Sequence, residues 1–279
     1  MSEKLFVFDH DGTLTDPIVT HDAYTDIFES QFRNITGLPR DVITKYIQPE
    51  REELIAHPEI YGWKNDQGFI VTPATFDTYV LNRIAAERAM VNMRKSKEHG
   101  LPEPSDVSGF LDNLENDSYA QLGAFYRQDA AHTIKEILPL GKLVIVSGSK
   151  PNHVLAKLQP FLRNNKISDD KIEVRGNAQK NLINPSWDRV PWSMKLPGLE
   201  TRDILLRRKN YGSIILSLGQ SPHVVVGDGG EFDLITPYVL KMNTMLITSI
   251  FTPKWEANFF KTQNSLEGVA NKIITDLGK

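Results

Sequence analysis

Three short runs of the chain are continuously apolar and end in polar clusters: Leu5-Phe6-Val7-Phe8 before Asp9, Leu143-Val144-Ile145-Val146 before Ser147, and Val224-Val225-Val226 before Gly227. Unbroken apolarity with β-branched residues and flanking glycine is the pattern of central parallel strands covered on both faces. Helical periodicity follows each run. It is strongest from Pro151 to Leu162, where Val154, Leu155, Leu158, Phe161 and Leu162 are helically spaced, and weaker over Tyr211 to Leu218 and Phe232 to Leu240. Met245 to Thr248 reads as a further strand and Leu266 to Leu277 as a closing helix. This succession predicts an α/β fold, a doubly wound parallel sheet whose ligands sit beyond the carboxyl ends of the strands.

The stretch from Pro17 to Leu138 has a different pattern. Tyr24, Ile27, Phe28 and Phe32 share one helical face, and Phe76, Val80, Ile84 and Val91 fall near a second. For the second helix, Thr72 is the expected N-cap and Pro73 the first position, with Lys95, Lys97 and Gly100 marking its end. Tyr61-Gly62-Trp63 and Asp66-Gln67-Gly68 break the periodicity and read as a loop. The expected organisation is therefore a discontinuous core, residues 1–16 and 139–279, interrupted by a mainly helical domain over 17–138.

Composition narrows the chemistry. The 279 residues include 32 Lys+Arg against 35 Asp+Glu, 40% hydrophobic residues and no cysteine. Thiol nucleophiles, disulfides and iron–sulfur clusters are excluded, so catalysis must use oxygen or nitrogen groups. Near-neutral charge without a Lys/Arg block gives no electrostatic reason to expect nucleic acid or an anionic membrane as partner. No apolar run approaches the ~20 residues of a membrane span, and the amino terminus fits no signal peptide. The expected location is the cytoplasm.

Three segments carry candidate chemistry. In Phe8-Asp9-His10-Asp11-Gly12-Thr13, a turn at Gly12 lets two carboxylates face one crevice. One could attack phosphorus while the other protonates a leaving oxygen and then activates water; Asp-Gly is equally a hairpin turn signal. Val226-Gly227-Asp228-Gly229-Gly230-Glu231-Phe232-Asp233 adds acids that, clustered near Asp9, would repel a phosphate unless a hard cation such as Mg²⁺ were held there. Asp228 is then the direct ligand and Asp233 a ligand or its support; the alternative is a glycine-rich loop with solvated acids. In Ser147-Gly148-Ser149-Lys150, a hydroxyl and backbone N–H groups between strand and helix make an anion site, although a turn before a capping Asn152 would look the same.

Taken together and in order, Asp-x-Asp-Gly-Thr, a strand ending in Ser and Gly-Asp-Gly-x-x-x-Asp resemble motifs I, II and IV of the haloacid dehalogenase-like (HAD) superfamily. The resemblance implies a Rossmann-like core in which Asp9 is the nucleophile and Asp11 the general acid/base, its backbone carbonyl also on Mg²⁺. Thr13, Ser147 and the Gly148 turn would bind the phosphoryl group, and Asp228, with Asp233, would complete the metal site. Relatives that cleave carbon–halogen or carbon–phosphorus bonds lack an acid at the place of Asp11. The implied activity is therefore a Mg²⁺-dependent phosphatase acting on a small phosphorylated compound, with a cap between motifs I and II. A phosphotransferase or mutase using the same aspartyl phosphate, and a non-catalytic binding protein, are the alternatives.

The family's motif III lysine is ambiguous here. Lys209, ahead of the helical Tyr211 to Leu218, stands about where the family places it; Lys195 is second and Lys180 third, and each could be a surface lysine. His10 replaces a usually apolar residue. It either points away from the crevice or tunes substrate access or pH response.

Overall fold

The computed structural model describes residues 3–98 and 100–278; the first two positions of the amino terminus considered above, His99 and Lys279 lie outside the described residues. In chain order, β1 (Lys4–Phe8) leads to α1 (Pro17–Thr36), α2 (Arg40–Ala56), a ribbon of β2 (Gly62–Lys64) and β3 (Ile70–Pro73), α3 (Thr78–Lys95), α4 (Val107–Gln121) and α5 (Ala130–Ile137). Then come β4 (Gly141–Val146), α6 (Pro151–Asn164), β5 (Ile172–Arg175), β6 (Ser193–Met194), β7 (Ile204–Leu205), α7 (Lys209–Leu216) and β8 (Val224–Gly227). The chain closes with α8 (Ile235–Val239), β9 (Thr244–Ile247), α9 (Lys254–Phe259), β10 (Thr262–Gln263) and α10 (Leu266–Asp276).

Six strands form one sheet in the order β10-β9-β8-β1-β4-β5, and all its pairings are parallel. The chain winds outward from β1 through β4 and β5, then returns to the other side of β1 for β8, β9 and β10. Strand order thus reverses at β1, which opens a crevice at the carboxyl ends of β8, β1 and β4.

Alternate strand residues feed two cores, which explains the unbroken apolar runs. Phe6, Phe8, Leu143, Ile145, Val224 and Val226 pack with residues of α5, α6 and α10, including Ile134, Leu158 and Val269. On the other face Leu5, Val7, Val144, Val146 and Val225 pack with Trp187, Tyr211, Ile215 and Trp255. Each such buried side chain contributes about 1.5–3 kcal/mol relative to exposure.

The chain divides into two compact units. One comprises the residues up to Pro17, Lys64–Thr72 and those from Ala124 on; the other comprises Ile18–Trp63 and Pro73–Gly123. The helical unit therefore ends well before residue 138. Helix α5 leaves it because Ala130, Ile134 and Ile137 belong to the sheet's own core. Within the helical unit, α2 packs along α3, and Tyr24 meets Tyr79 edge-on at 4.5 Å between ring centroids.

Two further expectations are corrected. The supposed loop around residues 61–68 is the β2–β3 ribbon, closed by Asn65, whose Oδ1 accepts the N–H groups of Gln67 and Phe69. Helix α3 is capped by Asp77, whose Oδ1 accepts the Tyr79 N–H at 2.8 Å, while Thr72 and Pro73 lie in or at the end of β3. The β-branched run Ile70-Val71-Thr72 favours a strand, and Asp77 supplies a competent cap five residues later. Helix α2 escaped the sequence pattern because its buried face, Ile43, Ile47, Arg51 and Leu54, carries a charge at one apolar position. Among the described residues, no helix is long and apolar enough to cross a membrane.

Candidate active site

The three motif segments meet at the crevice because their strands are in register. Phe8 is level with Ile145 on one side and Val226 on the other. Asp9 consequently emerges beside Ser147 and Asp228 at the ends of β4 and β8, and its N–H donates to the Val226 carbonyl at 2.9 Å. The sheet itself, rather than a flexible loop, fixes these three positions.

Asp9 faces a lysine, and that lysine is Lys180. Its Nζ lies 2.5 Å from Asp9 Oδ1 and 2.7 Å from Asp233 Oδ1, with Lys180 1% exposed. Lys209 is exposed at the start of α7, and Lys195 is also exposed; neither reaches Asp9. The neighbour of Lys209 is what turns inward: Arg208 is fully buried and donates to the carbonyls of Lys180 and Val71. The loop presenting Lys180 follows β5 and is tied to the motif II turn, Asn177 N–H to the Ser149 carbonyl and Ala178 N–H to the Ser147 carbonyl. Asn177 and Gln179 adopt left-handed φ of 55° and 46°, an uncommon conformation that sharpens this turn. The available sequence signal was Ile172-Glu173-Val174-Arg175, an alternating strand followed by Gly176-Asn177.

Asp11 sits on the opposite side of the turn. His10 Nδ1 is 3.1 Å from Asp11 Oδ1, while Ser149 and Ser147 bring hydroxyls to 3.3 and 3.5 Å from Oδ2. Burial opposes ionisation of Asp11, yet His10, with Lys157 and Ser149, holds its carboxyl below the usual range. The Ser147 Oγ also accepts the Ser149 N–H at 3.1 Å. Gly148 is exposed between them, with open space where a Cβ would lie.

Gly12 has φ +81°, and a Cβ there would overlap the Asp228 carboxylate. Glycine is thus required both for the turn and for the close approach. The Thr13 hydroxyl donates to Asp228 Oδ1 at 3.0 Å; its side chain is turned to the acid rather than left free in the crevice. Arg127 holds the loop from outside, donating to the Gly12 and Thr13 carbonyls at 2.7 and 2.9 Å. Arg127 belongs to the sheet unit, although its sequence position lies in the expected helical domain.

Asp233 uses Oδ1 for Lys180 and Oδ2 for the Gly229 N–H at 3.0 Å, so it braces the turn that carries Asp228. Buried Glu256 fixes the same turn by accepting the N–H groups of Gly230 and Glu231 at 2.7 and 2.8 Å. Burial and the nearby Glu231 push Glu256 up to about 8.

Carboxylate oxygens of Asp9, Asp228 and Asp233 lie within 4.8 Å of one another. Burial, with Asp233 and Asp11, raises Asp9 to about 7 even though Lys180 opposes the rise. Burial, Asp233 and Asp9 push Asp228 well above the usual carboxylate range. Lys180 stays protonated against burial because Asp233 and Asp9 flank it. One ammonium thus bonds two buried carboxylates, Asp9 and Asp233, with the half-buried Asp228 beside them, and the excess negative charge on hard oxygen donors fits a divalent cation such as Mg²⁺. A bound cation would lower Asp9 and Asp228 into the ionised state.

No protein-family model and no curated protein sequence matches the chain. Solved structures do. YfnB from Bacillus subtilis, named as a HAD-hydrolase bound to magnesium, superposes with a TM-score of 0.53 at 13% identity, covering 98% of this chain and 99% of that one. A HAD-superfamily hydrolase of subfamily IA, variant 1, from Geobacter sulfurreducens PCA gives 0.50 at 12% identity, covering 97% and 96%. The L-2-haloacid dehalogenase PA0810 gives 0.47 at 12% identity, covering 98% and 100%. The chain has the haloacid dehalogenase-like fold, a Rossmann-like core with a helical insertion.

Proposed function

We propose that the protein is a Mg²⁺-dependent phosphatase that hydrolyses a small phosphorylated compound through an aspartyl phosphate on Asp9. The observation carrying this reading is the pair of carboxylates on one turn. Asp9 is held by Lys180 at the end of β1, and Asp11 lies two residues on with its Oδ2 directed at the Ser147–Ser149 hydroxyls. A dehalogenase of this fold would have no use for the second acid.

Asp9 attacks phosphorus in line through the carboxylate oxygen not bound to Lys180. The P–O bond to the leaving group breaks, and Asp11, which the negative charge of a bound phosphate ester would bring into its protonated form, gives that proton to the departing alkoxide. Asp11 then takes a proton from water, which attacks the same phosphorus and breaks its bond to Asp9, returning the free carboxylate and inorganic phosphate. Lys180 meets the charge on the nucleophile and the equatorial oxygens; the Ser147 hydroxyl and the backbone amides of the Gly148 turn meet the remainder. Thr13 acts by holding Asp228, and its backbone N–H remains a donor for the phosphoryl group. Asp9, Asp228 and the Asp11 carbonyl would hold Mg²⁺, with Asp233 bracing them. When bound, the cation supplies electrostatic stabilisation of the transferring phosphoryl group.

Phosphate release from a panel of phosphate esters, with and without Mg²⁺, tests the reading. Metal-dependent release that disappears in Asp9→Asn is expected. Absence of release from every ester, or undiminished release by Asp9→Asn, would overturn it.

A further inference from the structure

Sequence alone left two readings of His10, pointing away from the crevice or acting in it. Its ring is fully buried and bound at both nitrogens. Nδ1 lies 3.1 Å from Asp11 Oδ1 and Nε2 lies 3.2 Å from the Tyr126 hydroxyl. Tyr126 is itself fixed, stacked on Phe161 with ring centroids 3.8 Å apart and 18° between planes. Its backbone pairs with Thr15 across an antiparallel bridge. The two ends of the histidine are thus anchored by unlike partners, one of which can only accept.

Asp11 Oδ1 is an acceptor whether the carboxyl is ionised or carries a proton on Oδ2, so in the neutral imidazole the hydrogen belongs on Nδ1 and points at Asp11 Oδ1. Nε2 is then an acceptor, and the Tyr126 hydroxyl donates to it. The chain of bonds runs one way, from Tyr126 through His10 to Oδ1. Among the described residues, the other carboxylate oxygen has the long hydroxyl contacts from Ser149 and Ser147, at 3.3 and 3.5 Å.

We propose that His10 is a positioning residue that engages Asp11 Oδ1, so that Oδ2 is the oxygen that gives and takes the catalytic proton. The role rests on the phosphatase reading above. In the first step the Oδ2 proton passes to the leaving alkoxide as the P–O bond breaks; in the second, Oδ2 takes the proton of the attacking water. His10 exchanges no proton in either step. It fixes the carboxyl's rotation, and a small rotational error at such a group is amplified in rate.

The test compares two esters whose leaving groups differ in their need for a proton, p-nitrophenyl phosphate and glycerol phosphate, in kcat/KM, which reports the steps through loss of the leaving group. His10→Leu is expected to lose about 10–100-fold on glycerol phosphate and far less on the nitrophenyl ester. His10→Asn, whose amide N–H can stand where Nδ1–H does, restores most of that loss. Tyr126→Phe keeps the ring stacking, removes the donor to Nε2, and shifts both esters in the same sense by a smaller factor. Equal losses on the two esters, or no recovery in His10→Asn, would overturn the proposal. A readout independent of turnover is the imidazole ¹⁵N spectrum of the wild-type protein, in which the tautomer with its proton on Nδ1 is expected. Protonation on Nε2 instead would overturn the placement of His10. A wild-type protein that releases phosphate from neither ester would defeat the phosphatase reading, and the ¹⁵N spectrum would still decide the placement.

Discussion

Each compact unit buries a guanidinium, and the two are treated in opposite ways. In the helical unit Arg51 is 3% exposed, pairs with Glu29 at 2.7 Å and donates to Asn82 at 2.8 Å. Its charge is met by a carboxylate in direct contact. In the sheet unit Arg208 is fully buried and bonds to the Lys180 and Val71 carbonyls, and among the described residues it makes no ion pair. Burial pulls it down to about 10, with Glu231 and Asp233 as the nearby negative charges that oppose the fall. The helical unit neutralises its buried charge locally. The sheet unit clusters charge at the strand ends, where Lys180 bonds Asp9 and Asp233 and the Asp228 carboxylate lies within 4.8 Å of both acids; perturbed charge of this kind is more frequent at functional sites than elsewhere.

Substitutions can break that contrast. Asp9→Asn should lower phosphate release by about 10⁴-fold or more, because it deletes the proposed nucleophile, as measured in any ester assay that the wild type supports. Lys180→Ala should lower kcat by about 10²–10³-fold, while Lys209→Ala, altering an exposed side chain, stays within about twofold of wild type. A reversed outcome would return the motif III role to Lys209. Arg51→Met in the helical unit should act on stability, by about 1.5–3 kcal/mol, since it removes charged hydrogen bonds to the partly buried Glu29 and to Asn82. Adding Glu29→Gln should recover part of the loss in a urea titration, and failure to recover would mean that the pair is not closed as described.

The smallest expected effect concerns pH. Glu256 is raised in the folded protein from an ordinary glutamate value to about 8, so the native state binds more protons than the unfolded chain between those values. Its contribution is favourable below an ordinary glutamate pKa and is lost as pH rises to about 8. Melting temperatures of the metal-free protein should therefore fall across that window, less steeply in Glu256→Gln. A slope unchanged by the substitution would locate the effect elsewhere.

What the sequence disclosed follows the same division. The strands that carry Asp9, Ser147 and Asp228 were legible because central parallel strands leave unbroken apolar runs and stop abruptly at polar residues. Their register then places the chemistry without further information. Lys180 was not legible as the favoured lysine. Strand β5 at the sheet edge is only partly buried and short, and a lysine on a loop is identified by what the loop is tied to, here the Ser147 and Ser149 carbonyls. Helix α2 and the β2–β3 ribbon were missed because a buried arginine and a tight Asn65–Gly68 turn both look polar in a linear pattern. The boundary at residue 124 depended on which core α5 joins, a tertiary fact that periodicity does not contain.

The central claim, a covalent phosphoryl group on Asp9, is open to direct capture. Asp11→Asn should still react with p-nitrophenyl phosphate, whose leaving group needs no proton, but should hydrolyse the acyl phosphate slowly for want of a base. Acid quench in the presence of Mg²⁺ followed by borohydride reduction converts an aspartyl phosphate to homoserine, which peptide mass spectrometry localises. The account predicts homoserine at the position of Asp9, formed together with a stoichiometric burst of nitrophenol. Nitrophenol release with Asp9 left unmodified, or homoserine at any other position, would contradict it.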